Sequence, residues 1–313
     1  MASRRLMLID AFTDRPFTGN PAGVVLDAGD LESGQMQAIA REVNASETAF
    51  VCGGGEGDPY RVRFFTPTDE VPLCGHATVA TFHALVWEGR IPTMEGEVVV
   101  QQETNSGLLP LRLAIRDEGL QRILMGQQPP LQDPYRGELE TLAGPLGVPL
   151  ALLEEGDEAV GPPARVSTGL KCLHVALPDR SAVEAASPDF RALRQLSREL
   201  DVTTVQILTL EAGGDAHVHV RTFAPAVGVD EDPVTGTAAG SLGGYLAYIN
   251  YLPEMEGSAG GGKARFGVTQ GEEMGRPGRV EVELQMVGQS VTEVWVGGKA
   301  VPAFEGTIRD PRV

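Results

Sequence analysis

Two stretches of this 313-residue chain are apolar or small on every side over helical length: ATVATFHALVW (77–87) and AAGSLGGYLAYI (238–249). A helix that is apolar all round must be buried all round. Most of the remaining sequence reads as short β runs, so the simplest burial is a curved sheet wrapped around each helix. In the second helix, Gly240, Gly243 and Gly244 should let strands approach closely, against a propensity cost of about 1 kcal/mol each.

The strand candidates are 5–11, 22–27, 60–65, 96–102, 108–116 and 120–126 in the first half, then 172–178, 205–210, 217–223, 263–270, 279–284 and 291–297. Their bounding residues come from a chain with 39 glycines and 22 prolines, which supplies the turns that so much sheet requires. Helices are expected to be few. Met36, Ile39, Ala40 and Val43 repeat at helical spacing and predict an amphipathic helix over 32–43; Phe190, Leu193, Leu196 and Leu200 do the same later. GQQPPLQDPYRGE reads as a linker near 126–138, giving domains over 1–125 and 126–313, with the C-terminal strand able to join the first. The glycines of SAGGGKARFG (258–267) suggest a flexible hairpin without the context of a nucleotide-binding loop.

The approaches to the two buried helices repeat. The first runs Val62-Arg63-Phe64-Phe65-Thr66-Pro67, an acidic loop, then Pro72-Leu73-Cys74-Gly75-His76-Ala77. The second runs Val220-Arg221-Thr222-Phe223-Ala224-Pro225, a longer acidic loop, then Pro233-Val234-Thr235-Gly236-Thr237-Ala238. The upstream segments 40–51 and 197–208 also align, with Glu47 opposite Thr204. Duplication of one domain is the reading preferred over chance. Two helix N-termini facing one cleft would offer backbone N–H groups and partial positive charge to an anion. A small carboxylic acid held between the domains is the expected ligand.

That seat matters because the chain is otherwise acidic. Lys plus Arg number 25 against 43 Asp plus Glu, a formal net charge of −18, which argues against nucleic acid or an anionic membrane as partner. No apolar run has the length of a membrane span, and Asp10 interrupts the short apolar N-terminal stretch, so a cytoplasmic protein is expected. Cys52, Cys74 and Cys172 are odd in number and widely spaced, which suggests neither a disulfide framework nor a zinc site. His217 and His219 share one face of a strand, but no third ligand is evident, so no metal is expected.

DAFTDRPFTGNPAGVV, AREVNASETAFV, FFTPTDEVPLCGHATVAT, VRTFAPAVGVDEDPVTGTAAG and QGEEMGRPGRV, in that order, resemble the phenazine-biosynthesis (PhzF-like) isomerase family across nearly the whole chain. The resemblance implies an α+β fold of the diaminopimelate-epimerase type: two similar domains, each a curved, barrel-like, mostly antiparallel sheet around a central buried helix. It implies cofactor-free proton transfer on a small cyclic or amino-acid-like carboxylate, and a homodimer. It assigns Glu47 as the proton carrier, His76 and Asp232 as its catalytic companions, and Asn20, Cys74, Gly75, Gly236 and Thr237 to substrate binding. Thr237 is a mild departure, since many relatives carry Ser there.

Each of these residues also has a plainer reading. Glu47 could be a surface charge, His76 a capping residue and Asp232 a turn former. His83 is expected to be packing, Asp69 and Glu70 a solvated loop, and Cys52 and Cys172 core. Related epimerases place a catalytic cysteine at the position of Cys74 and another in the second half, but here the second is Thr235, which cannot serve as a thiolate base. Cys74 is therefore expected to be a small neutral wall residue. The alternatives to an isomerase are an amino-acid epimerase or racemase, and a non-catalytic member that binds a metabolite or another protein.

Overall fold

The computed structural model describes residues 3–116, 119–214, 216–253, 255–258 and 261–309. The chain divides into two compact units: one runs to Gly126 and resumes at Gly297, and the other comprises Gln127–Val296. The first contains β1 (Ser3–Ala11), β2 (Asn20–Val25), α1 (Ser33–Val43), β3 (Glu47–Gly55), β4 (Asp58–Phe65), β5 (Glu70–Val71), α2 (Gly75–Trp87), β6 (Gly96–Thr104), β7 (Gly107–Arg116) and β8 (Gly119–Gln127). The second contains β9 (Leu131–Pro134), α3 (Glu140–Leu146), α4 (Leu150–Ala159), β10 (Ala164–Ser167), β11 (Lys171–Ala176), α5 (Arg180–Ala185) and α6 (Phe190–Glu199). It continues with β12 (Thr204–Thr209), β13 (Val218–Ala224), β14 (Val229–Asp232), α7 (Gly236–Tyr248), β15 (Met255–Ser258), β16 (Gly261–Gln270), β17 (Gly278–Val287) and β18 (Ser290–Gly298); β19 (Ala300–Arg309) returns to the first.

Each unit has the same pairing pattern. In the first, β1–β2 is antiparallel, β2–β3 parallel, β3–β4 antiparallel, β4–β6 parallel and β6–β7 antiparallel. In the second, β10–β11, β11–β12, β12–β13, β13–β16 and β16–β17 follow the same alternation. The two parallel steps in each unit need crossovers, and the two helical regions supply them. One crossover is the buried helix: α2 packs on β1, β2, β3 and β19, and α7 on β9, β10, β11 and β17. Both helices are buried through most of their length, as their all-round apolar sequences require. A Cβ at Gly240 would lie 1.9 Å from Gln127 Oε1, and one at Gly244 would lie 2.5 Å from Pro130 Cβ, so the close strand approach expected at these glycines is present.

The other crossover covers the outer face of the sheet. In the first unit α1 does this alone, with Met36, Ile39 and Ala40 packed on Leu6, Val25, Phe50 and Phe65. In the second, α3, α4, α5 and α6 share the task; seven α-helices stand against nineteen strands among the described residues, so helices are few, although three of them were not foreseen. The three unforeseen ones are six to ten residues long and sit in sequence rich in Gly and Pro, with Pro145 inside α3. The stretch expected as a linker near 126–138 holds the boundary between the units at its start and carries strand structure of its own. Its first residues end β8 and its middle forms β9, which pairs antiparallel with β10. Where the hairpin is expected over 258–267, β15 pairs antiparallel with β16, and residues 259–260 lie outside the described residues.

Candidate active site

Asn44 ends α1 in a left-handed conformation, φ 53°, which Asn adopts with little penalty, and its N–H bonds Ala40 O. The chain reverses through Ala45 and Ser46 and enters β3 at Glu47, opposite Ala22 of β2. Across the same edge, Cys74 is the extended residue before α2, so Gly75 and His76 are its first two helical residues. His76 is buried, and Glu47 retains 21% side-chain exposure.

These elements bring four side chains together. His76 Nε2 lies 3.3 Å from Glu47 Oε2 and 3.1 Å from Ser46 Oγ. Cys74 Sγ lies 3.4 Å from His76 Nδ1 and 3.9 Å from Nε2. Ser46 Oγ donates to Pro21 O at 3.4 Å, so it accepts from His76, which assigns the ring proton to Nε2 and leaves Nδ1 to accept from the Cys74 thiol. The Glu47 carboxylate lies beside Nε2 at ion-pair distance, outside these hydrogen bonds. Asn20 is fully buried at the start of β2, next to Pro21.

The second unit builds a counterpart at the start of α7. Thr235 holds the extended position before the helix, as Cys74 does, and Gly236 and Thr237 follow as its first residues. Thr235 Oγ1 donates to Asp232 Oδ2 at 2.5 Å. Gln270, buried at the end of β16, donates to Asp232 O at 2.7 Å and accepts from Thr235 N–H at 3.1 Å, clamping both sides of the turn. Gln270 went unassigned as a site residue from sequence, although it opens the QGEEMGRPGRV motif.

Two further readings change. Glu70 is no solvated loop residue: Arg63 Nε and Nη2 donate to its two carboxylate oxygens at 2.8 and 2.7 Å and hold its pKa below the usual range. Glu231 pairs with Arg221 in the same fork at 2.8 and 2.9 Å, so Glu231 is the counterpart of Glu70. Each arginine also lies over the Phe two residues later, 5.1 Å from the Phe65 centroid and 5.3 Å from that of Phe223. The repeated Val-Arg and Phe-x-Pro are thus a repeated scaffold. The histidine pair on β13 also has partners that sequence reasoning missed: the turn after β16 brings Glu273 Oε1 2.8 Å from His219 Nε2 and Glu272 Oε2 3.7 Å from its Nδ1. His217 instead accepts from Gly267 N–H.

The first unit also holds a cavity of about 890 Å³ near Arg4, Asp27, Cys52, Tyr60 and Arg90. Its arginines are already committed, Arg90 to Asp27 at 2.6 Å and Arg4 to Asp30 at 2.8 Å, and none of the four clustered side chains lines it. His83, on α2, stacks on Trp87 and burial pushes its pKa down to about 4.

Residues 9–306 match the family described as phenazine biosynthesis-like protein. An uncharacterized isomerase of Deinococcus radiodurans is 41% identical, the match covering 95% of this chain and 92% of that protein. The trans-2,3-dihydro-3-hydroxyanthranilate isomerase of Pseudomonas aeruginosa is 33% identical over 96% of this chain and 98% of its own. The crystal structure of a Bacillus anthracis phenazine biosynthesis protein of the PhzF family superposes with a TM-score of 0.86 at 32% identity, covering 99% of this chain and 100% of that one.

Proposed function

The chain belongs to the phenazine biosynthesis-like family, and from that premise we propose that it is an isomerase that moves a proton on a small cyclic carboxylate with Glu47 as the carrier. The observation that carries this reading is the contact of Glu47 Oε2 with His76 Nε2 at 3.3 Å, at the first turn of a thirteen-residue helix. The carboxylate takes the proton from one carbon of the substrate and returns it to another. His76, with its Nε2–H on Ser46 Oγ, forms the polar wall beside the carboxylate in both steps. The N-terminus of α2, at Gly75 and His76, favours the negative charge of a bound carboxylate, each such helix end contributing about 0.3–1 kcal/mol, and up to about 2 where partly buried. Asp232, Gly236 and Thr237 serve substrate binding at the matching helix start, where Gln270 and Thr235 hold Asp232 in one geometry.

The asymmetry of the repeat supports isomerisation over racemisation. Glu47 opens β3, and its counterpart Thr204 opens β12 without a carboxylate. Cys74 is matched by Thr235, so the pair of thiols that inversion at one carbon would use is missing from these positions. The test is incubation with trans-2,3-dihydro-3-hydroxyanthranilate, and with a panel of other cyclic unsaturated carboxylates, in deuterated water. Double-bond migration with deuterium at the new position is expected. Exchange confined to one α-carbon with loss of optical rotation would establish the racemase instead. Binding of these acids without exchange or turnover would establish a metabolite-binding protein.

A further inference from the structure

Cys74, His76 and Glu47 together offer one soft sulfur, one imidazole nitrogen and one carboxylate oxygen, all within 4.8 Å of one another. A tetrahedral zinc, with sulfur at about 2.3 Å and nitrogen or oxygen at about 2.0–2.2 Å, spaces its ligand atoms about 3.3–3.6 Å apart. His76 Nε2 to Glu47 Oε2 is 3.3 Å, and Cys74 Sγ to His76 Nε2 is 3.9 Å. Sγ lies nearer to Nδ1, at 3.4 Å, so rotation about the Cys74 Cα–Cβ bond is what brings the sulfur round to the Nε2 side. We propose that this triad is a zinc-binding site with three protein ligands and an open fourth position.

Three further features favour it. A thiolate, a carboxylate and a neutral imidazole carry two negative charges, so bound Zn²⁺ leaves the buried group neutral, which avoids the penalty of an uncompensated charge. The N-terminus of α2 at Cys74 favours the thiolate form of the sulfur ligand. The proton balance also closes within the cluster. On binding, the Nε2 proton and the thiol proton are displaced and the imidazole keeps one proton on Nδ1, so one proton is released per zinc. The other His–carboxylate cluster is a poorer candidate. It has no thiolate to offer.

Zinc at this position ties up Glu47 and His76, so it inhibits the proposed isomerisation and takes no part in it. That consequence rests on the reading of Glu47 as proton carrier; the binding rests on geometry alone. The test is therefore made on binding. Metal-free full-length protein is titrated with Co²⁺ and then Zn²⁺. One Co²⁺ per chain is expected to give thiolate-to-cobalt charge-transfer absorption and the intense visible bands of a tetrahedral site, both erased by Zn²⁺. Cys74→Ser should remove the charge-transfer band and weaken zinc by more than the roughly 10–100-fold that loss of an outer partner costs. Cys52→Ser and Glu273→Gln should leave both unchanged. The proposal is overturned by the absence of a thiolate band in the parent protein. Its persistence in Cys74→Ser, or its loss in Glu273→Gln, overturns it equally. Stoichiometric binding without loss of isomerase activity would leave the zinc site standing and remove Glu47 from the reaction.

Discussion

Glu47 meets His76 through two local devices: a left-handed Asn44 that ends α1 abruptly, and an extended Cys74 that starts α2 one residue before the histidine. Replacing Glu47 by Gln keeps the shape but removes the titrating group. Turnover of a true substrate should fall about 10²–10⁴-fold, the usual worth of a positioned general acid–base, with substrate affinity nearly unchanged; steady-state kinetics and calorimetry check both. His83, on the same helix, makes the opposite case of a histidine used only for packing. Its Nε2 has no hydrogen-bond partner in the structure, and burial lowers its pKa from 6.5 to about 4. The unfolded chain therefore binds the proton first as pH falls, so His83 costs no stability above pH 6.5 and progressively more down to about pH 4. His83→Leu should flatten this decline, gaining about 2–3 kcal/mol relative to the parent at pH 4 and little at pH 7.5, as denaturant melts at the two pH values would measure.

At the scale of the element, glycine has two opposite meanings in this chain. On α7, a Cβ at Gly244 would meet the ring carbon Cβ of Pro130 at 2.5 Å and Cγ1 of the buried Val166 at 2.9 Å, neither the far end of a long flexible side chain. Gly244→Ala should therefore destabilise by about 1–3 kcal/mol through overpacking, outweighing the gain of about 1 kcal/mol in helix propensity. Gly34, in the first turn of α1, has nothing within 4 Å of an added Cβ. Gly34→Ala should stabilise by about 0.5–1 kcal/mol. Thermal melts of the two variants should shift in opposite directions; a shift of the same sign would show that the strands around α7 yield more readily than their packing implies. The same contrast explains why α7 carries glycines while α2 carries Val79, Phe82 and Leu85: the space around the first helix is filled from the helix itself.

For the molecule as a whole, the order of the chain ties its two ends into one unit. β19 pairs antiparallel with β1 from Ser3–Arg309 to Ala11–Ala300, across one register shift, and Phe12 N–H bonds Lys299 O at 2.7 Å. β1 in turn carries β2, whose parallel partner β3 begins at Glu47. Truncation after Gly298 should therefore expose the edge of β1, raise hydrogen exchange through β1 and β2, and abolish activity although no site residue is removed. The core of the second unit around α5 and α6 should stay protected in the same exchange experiment, because its buried residues lie wholly within 142–223. Among the described residues no helix is long and apolar enough to cross a membrane, and α2 and α7, the most apolar, are covered by strands of their own units.

Much of this was legible in the residues themselves. All-round apolarity marked α2 and α7, helical spacing marked α1 and α6, and the repeated motifs located both helix starts, because burial and periodicity are properties a side chain carries into any context. The short helices α3, α4 and α5 were illegible, since six to ten residues interrupted by Gly and Pro are held by packing on the sheet and not by propensity. Likewise β9 is a strand because β10 offers it an edge, in sequence that otherwise reads as a linker. Sequence placed Glu47, Cys74 and His76 in motifs; only the parallel pairing of β2 with β3 beside the start of α2 decided that a thiol, an imidazole and a carboxylate lie within 4.8 Å of one another. The partners of His219 were hidden for the same reason: distances between residues fifty positions apart are set by register and turn geometry, which local sequence does not encode.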